Sequence, residues 1–120
     1  MRYIISLMLV LFMFTTLKAE LVTKTVEYMD GEVVLEGYLA YDDSFEGNIP
    51  GVMVVHEWTG INDYTKKRAE MLAELGYVAF AADIYGKGVR PQSTEEASKQ
   101  ASIYRQDREL MRSRANAGQD

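Results

Sequence analysis

The sequence predicts an α/β fold in which an antiparallel hairpin precedes a parallel unit of strand, helix and strand. The hairpin is indicated by alternating polar and apolar residues on both sides of Asp30 and Gly31. The parallel unit is indicated by short apolar runs at residues 52–55 and 77–82, which flank a helical pattern. With 48% hydrophobic and 26% charged residues among 120, the composition is that of a globular chain. We therefore expect an open, mixed sheet with helices packed on it.

The first nineteen residues have the order of a secretory signal peptide. Arg2 precedes an apolar run at residues 4–14, and Ala19 supplies a small residue at the expected cleavage site. The run is shorter than the roughly 20 apolar residues that span a bilayer, although an uncleaved anchor is the alternative. We divide the chain into a signal peptide at 1–19 and a domain at 20–120. An exported protein is expected, periplasmic in a bacterium and without stable membrane association after cleavage.

The hairpin is predicted to comprise strands at residues 21–29 and 32–41. In both strands side chains alternate between two faces, as in a sheet with period two. Asp30 and Gly31 between them form a strong turn signal, because glycine tolerates positive φ. A polar loop with Gly47, Asn48 and Pro50 follows at residues 42–50.

The two apolar runs are predicted to be strands buried on both faces. Each is short and continuous rather than alternating, which is typical of parallel sheets. The helix between them has Asn62 or Asp63 as its N-cap and Gly76 as its left-handed stop. A right-handed crossover should join the strands.

A loop at residues 84–91 and one long polar helix are predicted to follow. Ser93 and Glu96 have the spacing of a capping box at the start of this helix. Arg108 interrupts its apolar face. That face comprises Ala97, Ala101, Tyr104, Met111 and Ala115.

The composition excludes several classes of site within these 120 residues. The absence of cysteine excludes disulfides, cysteine zinc sites and a cysteine nucleophile in this chain, and a single histidine excludes a two-histidine metal site. The formal net charge of −5 argues against a nucleic-acid partner, because phosphate neutralisation needs a basic surface. We expect neither a cofactor nor a metal ion.

The candidate chemistry lies in residues 55–63 and 83–88, just beyond the two predicted parallel strands. Ligand sites of open α/β sheets lie at this edge. His56 is either a general base or ligand, or a hydrogen-bonded structural histidine. The structural role is preferred because no adjacent nucleophile or orienting acid can be assigned. The H-E-x-x-H zinc motif would need a histidine where Gly60 stands.

The residues after His56 each leave two interpretations open. Glu57 is either a site carboxylate or a partner of the following helix dipole. Trp58 is either a packing residue or the donor of a backbone N–H to an oxyanion. Lys87 between two glycines lacks the spacing of a phosphate-binding P-loop, and Asp83 is predicted to cap its own loop.

These blocks together resemble the dienelactone hydrolase family of α/β-hydrolases. The resemblance rests on H-E-W-T-G-I-N-D at residues 56–63, L-G-Y-V-A at 75–79 and D-I-Y-G-K-G at 83–88, and on the opening hairpin. It extends over nearly all of residues 20–111. It implies the amino-terminal half of an α/β-hydrolase fold, an incomplete sheet in which the strand at 77–82 lies between the hairpin and the strand at 52–55.

The resemblance also implies hydrolysis of an ester or lactone bond by a Cys-His-Asp triad. By motif, Glu57 matches the carboxylate that helps to convert the nucleophilic thiol to thiolate, and the Trp58 backbone N–H matches an oxyanion donor. Lys87 stands where the family often has an arginine that contacts the substrate carboxylate. The expected partner is therefore a small, anionic ester or lactone.

The sequence departs from the family because no G-x-C-x-G nucleophile elbow and no triad histidine or aspartate can be assigned. The 20–120 domain is accordingly interpreted as partial and inactive as given. The alternative is a small, non-enzymatic periplasmic binding or interaction protein on a truncated hydrolase scaffold. In either case the strand at 52–55 is expected to have an unpaired edge that favours aggregation.

Overall fold

The computed structural model describes residues 20–120, so the predicted signal peptide lies outside the described residues. No helix in the described part is long and apolar enough to cross a membrane. The elements in chain order are β1 Leu21–Asp30, β2 Val33–Asp42, β3 Gly51–Val55, α1 Asp63–Glu74, β4 Val78–Ala82, α2 Thr94–Gln106 and α3 Arg108–Ala117.

Strands β1 and β2 form the predicted hairpin along their full length, from the pair Leu21 and Asp42 to the pair Asp30 and Val33. The two-residue loop is one position later than predicted, since Asp30 belongs to β1. Gly31 has φ 60° at the first loop position. A positive φ at this position alone is the pattern of a type II′ turn, which suits the twist of a hairpin.

The four strands lie in the order β1-β2-β4-β3, as the family resemblance implied. β4 pairs antiparallel with β2 and parallel with β3. Ala79, Ala81 and Ala82 of the central strand β4 are fully buried, as predicted. The prediction that β3 is buried on both faces is wrong, because its Val55 is 56% exposed and none of its five residues is fully buried.

Helix α1 packs on one face of the sheet through small side chains. Ala69 and Ala73 of α1 contact Ala40 and Ala79 of the strands in one fully buried cluster. The helix begins at Asn62, whose side chain accepts a hydrogen bond from the Thr65 N–H at 3.1 Å. The helix also ends just before Gly76, as predicted.

The Schellman motif at the end of α1 depends on Gly76, which has φ 100°. The Gly76 N–H bonds the Ala73 carbonyl at 3.0 Å, and the Tyr77 N–H bonds the Leu72 carbonyl at 3.2 Å. The chain therefore turns directly from α1 into β4.

The predicted single helix after Ser93 is two helices, α2 and α3, which meet at Asp107. Asp107 has φ −120° and ψ 88°, and its carboxylate accepts from the Leu110 N–H as the N-cap of α3. The Ser93 half of the capping box is present, but Glu96 accepts from the Gln92 N–H and not from that of Ser93. The spacing of the apolar residues did not reveal the break, because Asp107 stops the helix through its backbone conformation and its side-chain cap.

Helix α3 packs on the sheet face opposite α1. Gly118 directly after α3 lies against Phe80 and Ala82 of β4. Asp30 at the end of β1 accepts a hydrogen bond from Ser113 at 2.7 Å and pairs with the nearly buried Arg114. These contacts, the Ser113 hydrogen bond first, lower the pKa of the Asp30 carboxyl. The bend at Asp107 thus brings α3 back to the hairpin.

The edge position of β3 predicts self-association of the isolated chain. β3 pairs with β4 on one side only within the described residues, and Val55 is exposed. An unpaired apolar edge favours pairing with another chain. We expect residues 20–120, expressed alone, to sediment as oligomers or aggregates, and a lysine in place of Met53 to shift the distribution toward monomer. A sharply monomeric wild-type sedimentation profile would contradict this expectation.

Candidate active site

His56 follows β3 directly and is held by hydrogen bonds at both ring nitrogens. The Ile84 N–H donates to its Nε2 at 3.1 Å, and its Nδ1 lies 2.7 Å from the Glu57 carbonyl oxygen. Since a backbone N–H can only donate and a carbonyl can only accept, Nδ1 carries the proton of a neutral imidazole. The ring also meets the Tyr85 ring edge to face at 4.7 Å. These contacts support the structural interpretation of His56.

The turn after His56 closes at Gly60. The Gly60 N–H donates to the Glu57 carbonyl oxygen at 3.1 Å, and Gly60 has φ 77°. The carbonyl oxygen of Glu57 therefore accepts two hydrogen bonds, one from His56 and one from Gly60. By contrast, the Trp58 N–H has no acceptor among residues 20–120.

Tyr85 supports the same turn from the loop after β4. Its hydroxyl donates to the Trp58 carbonyl oxygen at 2.7 Å, and its ring stacks on that of Tyr104 at 5.3 Å. Burial raises the pKa of Tyr85, with a further contribution from Tyr104, so the phenol stays protonated and able to donate at neutral pH. The carbonyl group of Trp58 is therefore fixed by Tyr85, as the carbonyl group of Glu57 is fixed by His56 and Gly60.

Asp83 organises the loop that supplies Tyr85. It is fully buried, and its Oδ1 accepts from the N–H groups of Tyr85 and Gly86, both at 3.1 Å. Its Oδ2 accepts from the Glu36 N–H of β2 at 3.0 Å. Arg90, at 3.5 Å from Oδ1, supplies the opposite charge. Asp83 thus caps its own loop, as the sequence indicated, and also joins it to the sheet.

An open cavity of about 450 Å³ lies beyond the carboxyl end of β3. Residues of the β3 loop form one wall, and α2 and α3 form the other. Its lining comprises Val55, His56, Glu57, Trp58, Ile84, Tyr85, Ala101, Tyr104, Arg105, Arg108 and Met111. The cavity therefore combines an apolar surface with one carboxylate and two guanidinium groups. No three His, Cys, Asp or Glu side chains of residues 20–120 are grouped to hold a metal ion.

Comparison with known proteins identifies the origin of this arrangement. The sequence profile of the dienelactone hydrolase family matches residues 35–118. The chain belongs to the dienelactone hydrolase family. This family points to a hydrolase.

Two solved structures show how far the dienelactone hydrolase likeness extends. The protein m3DLH has a TM-score of 0.79 and 35% identity, covering 83% of this chain and 42% of its own. A dienelactone hydrolase-like promiscuous phosphotriesterase from metagenomic libraries has a TM-score of 0.76 and 36% identity, covering 82% and 41%. The described residues therefore form a partial α/β-hydrolase fold.

Two curated relatives agree with this family assignment. A protein of Escherichia coli (strain K12) named as a hydrolase fragment is 36% identical over 72 residues, 48% of this chain and 62% of that protein. A protein of Aquifex aeolicus (strain VF5) named as a carboxymethylenebutenolidase is 36% identical over 77 residues, 62% of this chain and 32% of that protein. The chain thus spans less than two thirds of either relative.

The structure brings Glu57 and Trp58 together at the cavity and places Lys87 elsewhere. The Lys87 ammonium pairs with Glu27 of β1, and the backbone N–H of Lys87 donates to the Val34 carbonyl at 2.9 Å. Lys87 is not among the residues that line the cavity. Its contact with a substrate carboxylate stays a prediction.

Sequence reasoning missed the cations that do line the cavity, Arg105 and Arg108. Neither makes an ion pair with a carboxylate among residues 20–120. The available signal was the interruption of an apolar helix face by Arg108. Arg105 offered no comparable signal, because the break at Asp107 sets where both side chains lie.

The buried His56 predicts that acid destabilises the fold. Desolvation lowers its pKa from 6.5, outweighing the Glu57 carbonyl and Asp83, which raise it, while Arg90 lowers it further. The unfolded chain therefore binds the proton more readily, so the histidine's contribution is fully present above pH 6.5 and is lost as the pH falls toward the lower folded pKa. Urea unfolding should show stability declining below pH 6.5. Because the chain has one histidine, His56→Gln should flatten this part of the profile, and an unchanged slope would contradict the assignment.

Proposed function

We propose that this chain supplies the oxyanion side of the active site in an exported hydrolase that cleaves ester or lactone bonds. The observation that carries the proposal is the Trp58 backbone N–H, which has no acceptor among residues 20–120 and belongs to a turn beside the cavity. Such a donor can stabilise the negative charge that develops on a carbonyl oxygen during acyl transfer.

Glu57 and the missing nucleophile complete the proposed chemistry. Glu57 lies on the same turn, is exposed and lines the cavity, so a thiol from outside these 120 residues could approach its carboxylate. The thiolate would attack the substrate carbonyl, the Trp58 N–H would bind the resulting oxyanion, and a histidine and aspartate beyond this chain would complete the triad. The 120 residues alone should be inactive, since they contain no cysteine.

The cavity charges favour an anionic substrate. Arg105 and Arg108 line the wall opposite the turn, and a guanidinium group binds a carboxylate through two parallel hydrogen bonds. The rest of the lining is largely apolar, which suits the carbon skeleton of a small ester or lactone. The family resemblance points to the same substrate class.

The reading frame beyond residue 120 provides the first test of this proposal. A G-x-C-x-G segment followed by aspartate and histidine is expected there. The complete protein should hydrolyse p-nitrophenyl acetate and lose this activity after alkylation with iodoacetamide. Activity that survives alkylation would rule out a cysteine nucleophile.

Amino-terminal sequencing of the protein from a periplasmic extract should begin at Glu20 if the signal peptide is cleaved.

A non-enzymatic binding protein is the second candidate. The observation in its favour is that the cavity, with Glu57 and both arginines, is formed by residues 20–120 alone, which contain no thiol. A stop codon after Asp120, a stable product and calorimetric binding of a small carboxylate would favour this function over hydrolysis.

A further inference from the structure

The hydrogen bonds of His56 help to set the direction of the Trp58 backbone N–H group. The Glu57 carbonyl and the Trp58 N–H belong to the same peptide unit. Peptide bonds in the described residues are trans, so this N–H points away from the side on which the carbonyl is held. A residue that fixes the Glu57 carbonyl therefore also fixes the Trp58 N–H.

We propose that His56 is a positioning residue for the oxyanion donor, acting through the peptide that joins Glu57 to Trp58. Its Nδ1–H holds the carbonyl end of this peptide at 2.7 Å, which leaves the N–H end directed toward the opposite side. The same bond polarises the peptide and strengthens its N–H as a donor, because hydrogen bonds in a chain reinforce one another. This inference rests on the proposed hydrolase function.

The second nitrogen of His56 makes this arrangement specific. The Ile84 N–H donates to Nε2 at 3.1 Å, which forces the proton onto Nδ1 and orients the ring. His56 is 9% exposed, so water does not compete effectively for either bond. The loop after β4 therefore selects the tautomer that orients the turn after β3.

Two substitutions separate the positioning role from a merely structural one. In His56→Asn the side-chain amide nitrogen takes the place of Nδ1 and can still donate to the Glu57 carbonyl, but nothing accepts from the Ile84 N–H. In His56→Gln the amide oxygen takes the place of Nε2 and can accept from the Ile84 N–H, but the Glu57 carbonyl loses its side-chain donor and keeps only the bond from the Gly60 N–H. Both variants lose the packing of the ring on Tyr85.

The kinetic test uses p-nitrophenyl acetate and the complete hydrolase. We expect His56→Gln to lower kcat by about 10²-fold with little change in KM, because the misdirected N–H matters only once the oxyanion forms. His56→Asn should retain about tenfold more of the kcat than His56→Gln, even where its melting temperature is the lower of the two. Equal kcat values in the two folded variants, or losses that follow melting temperature alone, would overturn the proposal.

A second measurement does not depend on activity. In the ¹⁵N-histidine spectrum of the complete hydrolase, the signals that disappear in His56→Gln are those of His56. We expect a protonated Nδ1 and an unprotonated Nε2 at neutral pH, and the opposite tautomer would overturn the proposal. If the complete wild-type protein hydrolyses no ester while the spectrum shows the expected tautomer, the proposed function fails and the geometry of the peptide stands.

Discussion

Replacing Trp58 with proline in the complete hydrolase is expected to lower kcat for ester hydrolysis by about 10²–10³-fold. Proline has no backbone N–H, so the substitution removes the proposed oxyanion donor itself. Position 58 can accommodate proline. Trp58 is the second residue of a turn closed by the Gly60 N–H and the Glu57 carbonyl at 3.1 Å, and proline is common at this position of β-turns.

Trp58→Ala is the matched control because it removes the indole and keeps the N–H. Trp58 is 44% exposed, so loss of its indole should cost little stability. We expect kcat of the alanine variant to fall far less than that of the proline variant. Circular dichroism would establish that both are folded. Equal loss of kcat in the two would mean that the side chain, and not the backbone N–H, supplies the effect.

The turn that carries Trp58 could be located from sequence because its signals are local. An apolar run ends at Val55, Gly60 permits the positive φ that closes the turn, and Asn62 caps the next helix. Each of these residues determines the conformation of only a few neighbouring positions in the chain. The strand, the turn and the start of α1 were therefore all placed correctly.

The partners of His56 could not be located from sequence because they are distant along the chain. Ile84 is 28 residues away, and the two meet only because β3 and β4 end side by side. A parallel pair predicts that the two loops are neighbours, but not which N–H reaches which nitrogen. The cations were missed for a similar reason, because the bend at Asp107 brings Arg108 to the cavity, whereas Lys87 pairs with Glu27 of β1.

Replacing Asp83 with alanine is expected to lower the free energy of unfolding by about 3–5 kcal/mol, measured by urea denaturation. The carboxylate is fully buried and accepts from the N–H groups of Glu36, Tyr85 and Gly86. Alanine would leave these donors without an acceptor and would leave Arg90 without its 3.5 Å partner. An unsatisfied buried donor alone costs about 1–3 kcal/mol, so the loss should be large.

Asp42→Ala is the control for Asp83→Ala, since Asp42 is also a buried aspartate whose side chain caps a loop. Asp42 is 7% exposed, and its Oδ1 accepts only from the N–H and hydroxyl of Ser44. Loss of such a local cap typically costs about 1 kcal/mol. A comparable loss in the two variants would show that the contacts of Asp83 with β2 and Arg90 contribute little.

Asp83→Ala should also affect the site through a path that can be followed residue by residue. Asp83 accepts hydrogen bonds from the N–H groups of Tyr85 and Gly86 and so fixes this loop. The same loop presents the Ile84 N–H to His56 and the Tyr85 hydroxyl to the Trp58 carbonyl. A loop that is no longer capped would release both contacts together. The ¹⁵N signals of His56 should then show a mixture of tautomers under conditions in which the variant is still folded. The turn that carries the proposed oxyanion donor would thus depend on a carboxylate after β4.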